Sequence, residues 1–173
     1  MIEPTKASPA IAAIQQAVSL VNQYHESDES ENYLKRLPPP NELEIAKVEK
    51  DLGNKLPDSY KYFLRHYGTL EFMGLELTGT HQKKLNGPRS VITQTRSNRK
   101  NLKLRQFAIV VHSFGDGCWA VLDTSRMIEN ECPVILWDPS SAACFIKPHI
   151  YAENFGQYLL NMVKEELEFL KTL

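Results

Sequence analysis

The chain has 173 residues, 42% hydrophobic and 24% charged, with a formal net charge of −1. That is the balance of an ordinary globular domain, long enough to bury about 70% of its unfolded surface. No apolar run approaches the ~18 residues of a membrane span, and no basic stretch precedes an apolar run in MIEPTKASPAIAAIQQAV, so neither a membrane helix nor a secretory signal is expected.

In chain order, Ser8 is placed to cap a first helix, with Pro9 at its first position and Ile11, Ile14, Val18 and Val21 on one side. The polar, acidic HESDESENY and the breaker RLPPP follow. Residues 1–37 therefore read as a helical extension with an acidic loop, and residues 38–173 as the main domain. Asn41 with Glu44 forms a capping-box pattern, Ile45, Val48 and Leu52 follow at helical spacing, and Gly53 closes that helix. Pro57 suits the first position of the next helix. Tyr60, Phe63, Leu64 and Tyr67 then fall at i, i+3, i+4 and i+7 as one aromatic face, read as core, and Gly68 ends the helix.

The pattern then changes. LEFMGLELTG predicts a strand, THQKKLNGP a surface loop and SVITQTRSNRKNL a helix. FAIVVHSF, CWAVLDT, PVILWD and AACFI predict four strands, the first two joined by Gly115-Asp116-Gly117 and the last two by Asp138-Pro139-Ser140-Ser141. Phe155, Leu159, Met162, Val163, Leu167 and Leu170 mark a long C-terminal amphipathic helix. The expected class is α+β: N-terminal helices, an antiparallel β-meander, and a long C-terminal helix packed on the sheet.

The stretch PPPNELEIAKVEKDLGNKLPDSYKYFLRHYG resembles the signature of the SUKH superfamily, found in a yeast cell-wall assembly regulator and in many bacterial immunity proteins. The residues that carry it are Leu56, Pro57, Tyr60, Phe63, Leu64, Tyr67 and Gly68. Gly115-Asp116-Gly117 before CWAVLD, Pro133-Val134 with Trp137, and AENFGQYLLNMV resemble the family's strands and closing helix. Tyr67 is followed by Gly68-Thr69, where the family often has Asn and Gly together. The resemblance implies a cytoplasmic, non-enzymatic immunity protein that neutralises a cognate toxin, of polymorphic or contact-dependent type, by binding it. A regulatory scaffold of the yeast type is the alternative.

Enzyme chemistry is weakly signalled. His112, Cys118 and Asp123 are the residue types of a nucleophile set, but Cys118 and Asp123 are five apart and point to opposite faces of an unbroken strand. Cys118 reads better as a small buried hydrophobe. Asp116, Asp123 and Asp138 sit at turns or strand ends, where Asp bonds its own backbone. His25, His66, His81, His112 and His149 lack metal-ligand spacing, and Gly115-x-Gly117 precedes a strand, unlike a dinucleotide loop. Cys118, Cys132 and Cys144, without a CxxC, point to free thiols in a reducing compartment. The expectation is no catalysis, no metal and no cofactor.

Charge is unevenly laid out. Between Leu77 and Gly115 lie eight basic residues and no acid, leaving 12 basic against 21 acidic residues elsewhere. Seven of the eight are candidate partner-binding residues: Lys83, Lys84, Arg89, Arg96, Arg99, Lys100 and Lys103. A helix over 89–103 would align Arg89, Arg96, Lys100 and Lys103 in one ridge, with Val91, Thr95 and Leu102 opposite and Ile92 on the flank. Such a ridge would steer an acidic partner. Nucleic acid is the competing target, although the chain's overall acidity argues against it.

Overall fold

Asn41 and Glu44 cap each other reciprocally, the Asn41 side chain accepting from the Glu44 amide and a Glu44 carboxylate oxygen from the Asn41 amide, both at 2.9 Å. The computed structural model in which this capping box forms describes residues 8–27, 38–141 and 143–172. Most of the acidic HESDESENY loop and the first residues of RLPPP lie outside the described residues, as does the His25 side chain.

The capping box opens helix α2 (Glu42–Leu52), which buries Ile45, Val48 and Leu52 and ends on Gly53 at φ 70°. Before it, α1 (Pro9–Ser27) begins where the Ser8 hydroxyl accepts from the Ile11 amide. Ala10, Ala13, Ile14, Ala17, Val18 and Val21 repeat at helical spacing and are all buried. Helix α3 (Asp58–Tyr67) starts one residue later than expected: Pro57, with ψ 151°, is its N-cap and not its first helical residue. Proline offers no side-chain cap, so the free amides find distant partners. Asp58 N–H donates to the Asn130 carbonyl, and Ser59 N–H and O–H donate to the two oxygens of Glu131.

The run LEFMGLELTG holds two strands, not one. β1 (Leu70–Phe72) and β2 (Leu75–Leu77) form a hairpin turned at Met73-Gly74, with Met73 at φ 56°. Leu70, Phe72, Leu75 and Leu77 are buried on one face, and Glu71 faces Glu76 on the other. Helix α4 (Val91–Leu102) leads into β3 (Ala108–Ser113), β4 (Trp119–Asp123), a 3-10 turn (Thr124–Arg126), β5 (Val134–Trp137), β6 (Ile150–Ala152) and α5 (Phe155–Leu170). The expected strand AACFI is a further correction. Its described residues make a helical turn, with the Ile146 and Lys147 amides both donating to the Ala143 carbonyl. The pairing partner of β5 is instead Ile150–Ala152.

All six strands are antiparallel neighbours in the order β1-β2-β3-β4-β5-β6, a meander interrupted by α4. The main core lies between the helices and one face, where Tyr60, Phe63 and Leu64 of α3 meet Ile109, Val111, Leu122, Val134, Phe155 and Leu159. Phe63 and Phe155 rings are 5.1 Å apart and Tyr60 and Phe155 rings 4.8 Å. The aromatic stripe is core, with only Tyr67 partly exposed. A smaller cluster of Leu104, Ala108, Val110, Val121, Ile135 and Trp137 covers the other face, with Cys144 and Phe145 packed on it. Burial on both faces explains why Ala108–His112 of β3 is unbroken by an exposed position.

Candidate binding surface

The cationic stretch is held by an unusually close crossing of two chain segments. A Cβ on Gly79 would lie 1.8 Å from the Gly68 carbonyl oxygen, so only glycine fits there. Beyond the crossing, Thr80 N–H donates to Gly68 O and Gln82 N–H to Pro38 O, and Lys83, at φ 62°, donates its amide to a Glu44 oxygen. The return limb is tied back by Val91 N–H on Gly79 O. The turn bearing Lys83 and Lys84 is thus moored to the start of α2, with both lysines exposed.

The single ridge does not form. Helix α4 spans only Val91–Leu102, Arg89 precedes its Ser90 cap, and Lys103 is a left-handed C-cap at φ 59° that swings the chain off the helical line. Arg89 sits between Glu71 at 3.7 Å and Glu76 at 3.3 Å. Arg96 is 3.5 Å from Asp51 Oδ1 and donates to the Asp51 carbonyl. Arg99 turns inward and donates to the carbonyls of Leu52 at 2.8 Å, Gln106 and Ala108. Burial, then the neighbouring Arg96 charge, lowers its pKa. Of the seven candidates, Lys83, Lys84, Lys100 and Lys103 remain exposed without an ion pair among the described residues. The apolar side of α4 is also revised: Val91, Ile92, Thr95 and Asn98 are buried, whereas Leu102 is 39% exposed.

Beside the Lys83–Lys84 turn lies a cavity of about 320 Å³ lined by Thr69, Gly79, Thr80, His81, Lys84, Gly87, Pro88, Arg89 and Ser90. Thr80 is 1% exposed and its hydroxyl has no partner, nor does His81 Nδ1, which is also buried. His81 Nε2 lies 3.4 Å from the Thr69 hydroxyl. Burial, and then the charge of Lys84, lowers the His81 pKa. Sequence reading placed these residues in a featureless polar loop. Gly79 and the Gly87-Pro88 pair were the available signals of a built turn, but the tertiary crossing that gives them walls is not periodic.

The residues of nucleophilic type stay apart. A bulge in β3 at Val110/His112 puts His112 opposite Ala120 on the helix-covered face, where its Nδ1 lies 2.7 Å from the Tyr158 hydroxyl. Burial holds the His112 pKa down to about 4. Asp123, at the far end of β4, accepts from Ser125 and pairs with Arg126 at 3.1 Å. Cys118 is half-exposed at the β3–β4 turn, not the buried hydrophobe expected, and its amide donates to Asp116. Partial burial and the Asp116 and Asp138 carboxylates raise its pKa. No group of three or more His, Cys, Asp or Glu among the described residues is placed to share a metal ion. No helix among them is long and apolar enough to cross a membrane.

A family model described as SUKH_5, SMI1-KNR4 cell-wall, matches residues 18–164. The chain belongs to the SUKH family. The SUKH match begins inside α1 and ends inside α5, so it takes in the meander, the basic turn and the cavity. A crystal structure of a protein from Pseudomonas syringae pv. tomato is similar, with TM-score 0.51, 16% identity, and coverage of 70% of this chain and 83% of that one. At that identity the likeness is one of fold.

Proposed function

We propose that this SUKH protein is a non-enzymatic binding protein that neutralises a cognate toxin by stoichiometric contact, with Lys83, Lys84, Lys100 and Lys103 meeting an acidic surface of the partner. The observation that carries this reading is the acid-free cationic stretch. Its arginines Arg89, Arg96 and Arg99 are held by the chain's own groups, while its lysines are left to solvent. Unpaired charge on a rigid support contributes little to stability but speeds encounter with an oppositely charged surface. Separation of His112, Cys118 and Asp123 supports binding without turnover, and three free cysteines suit a reducing cytoplasm.

The experiment is association kinetics of the wild type and a Lys100→Glu/Lys103→Glu variant at low and high salt, against the product of the adjacent gene and a random oligonucleotide. Slower association of the variant with the protein partner, converging as salt rises, is the expected result. Equal rates for both proteins would reject the surface. Binding to the oligonucleotide with a steep log–log salt dependence would move the reading to nucleic acid. The SMI1-KNR4 cell-wall description of the family favours a second reading, a regulatory scaffold. A partner among signalling or wall-synthesis proteins, in place of a toxin, would establish it.

A further inference from the structure

We propose that the cavity between the Gly68–Gly79 crossing and the Lys83–Lys84 turn is a receptor for a single carboxylate group. Buried polar groups in folded proteins are almost always paired. Here two atoms break that rule within one cavity wall, the Thr80 hydroxyl and His81 Nδ1. The Thr69 hydroxyl, 3.4 Å from His81 Nε2, donates to that nitrogen and leaves the imidazole proton on Nδ1. Thr80 O–H and His81 Nδ1–H are then two neutral donors without acceptors.

Charge decides which acceptor fits. Arg89 lines the cavity, but Glu71 and Glu76 already compensate it. Lys84 lines it with no ion pair among the described residues. The site therefore offers one uncompensated positive charge and two neutral donors. A carboxylate has one negative charge and two oxygens able to accept all three donors. A phosphate dianion would keep an uncompensated charge. The walls are fixed in advance, because the crossing admits no side chain at Gly79 and its limbs are pinned by Thr80 N–H on Gly68 O and Val91 N–H on Gly79 O. This is the usual form of a ligand site, a preformed hollow with a few convergent polar groups. It does not depend on the partner proposed above, since Lys100 and Lys103 play no part in it.

The carboxylate can come from a free small acid or from an acidic side chain on a polypeptide. The test titrates acetate, the capped peptide acetyl-Gly-Glu-Gly-amide and inorganic phosphate, at constant ionic strength, into wild type, Thr80→Val, Thr80→Ser, Lys84→Met and Lys100→Met while following the Thr80 and His81 NMR resonances. Saturable shifts with acetate or peptide are expected. Thr80→Val and Lys84→Met should each weaken them by roughly tenfold, with Thr80→Ser and Lys100→Met close to wild type. Peptide binding tighter than acetate identifies the side-chain source, and equal binding the free acid. Phosphate binding tighter than both overturns the carboxylate assignment. Unsaturable shifts, or equal affinities in wild type and Lys84→Met, overturn the site.

Discussion

A Cβ built on Gly156 would lie 1.9 Å from the carbonyl oxygen of Ala10, so the start of α5 and the start of α1 touch through backbone. Small residues make this approach possible: Ala10, Ala13 and Ala17 supply the α1 side of the crossing region and are all buried. Helix α1 shares one core with α3, α5 and the sheet, because Ile14, Val18 and Val21 belong to the same cluster as Phe63 and Phe155.

Gly156→Ala should therefore force α1 away from α5. The expected cost is at least about 3 kcal/mol, at the upper end for overpacking because the obstacle is backbone and cannot rotate aside. Faster proteolysis within α1 should accompany it. Gly74→Ala is the control, since a Cβ there meets nothing within 4 Å. It should be neutral or stabilising by up to about 1 kcal/mol. Equal denaturant midpoints for the two variants would contradict the close crossing.

Phe63→Ala should cost about 3–5 kcal/mol, because Phe63 is fully buried against Tyr60, Tyr67 and Phe155. Tyr62 lies off the stripe, partly buried, accepting from Gln15 Nε2 and stacked on His66. Its replacement by Ala should cost roughly 1 kcal/mol, the worth of one exposed hydrogen bond and a partial contact. Urea midpoints at constant m-value provide the comparison.

The two neighbouring cations of α4 should behave oppositely. Arg99 joins three carbonyls from α2 and the approach to β3. Arg99→Ala strands them and should destabilise by about 2–3 kcal/mol, and Lys cannot replace the fork geometry. Lys100→Glu should change stability by less than about 0.5 kcal/mol. A large loss for Lys100→Glu, or none for Arg99→Ala, would reverse these assignments.

That pair also shows where reading a sequence stops. The features legible in advance were local: the Asn41–Glu44 box, the Gly53 stop, the stripe of Tyr60, Phe63 and Leu64, and the hairpin at Gly115-Asp116-Gly117. Each is set by residues within a turn or two of one another. What was missed depends on partners brought together only by folding. Glu131 caps α3 from 72 residues away, and Arg99 reads as surface until Leu52 and Ala108 arrive beside it. AACFI has a strand's composition, yet Cys144 and Phe145 are spent covering the second core cluster. For the candidate site, the charge count located the lysines. The cavity walls required the Gly68–Gly79 crossing, which leaves no trace in composition or period.

His112 should give the protein a measurable acid sensitivity. Its imidazole is 5% exposed, shares a hydrogen bond with Tyr158 and is held by burial at a pKa of about 4, against an ordinary 6.5. Above pH 6.5 both folded and unfolded chains carry it neutral, and its contribution is constant. Between pH 6.5 and 4 only the unfolded chain takes up the proton, so stability falls as pH falls. Below about 4 both states are protonated and the loss is complete, at no more than about 3 kcal/mol. His81, also depressed, slopes the same way. Glu131 slopes oppositely, since burial raises its pKa and favours the folded state's proton as pH falls toward the carboxyl range. The informative quantity is therefore the difference between wild type and His112→Gln in unfolding free energy, followed from pH 7 to 4.5. The variant should start less stable and lose less on acidification, narrowing the gap. Parallel curves, or an imidazole at position 112 titrating near 6.5 by NMR, would show that this histidine does not carry the effect.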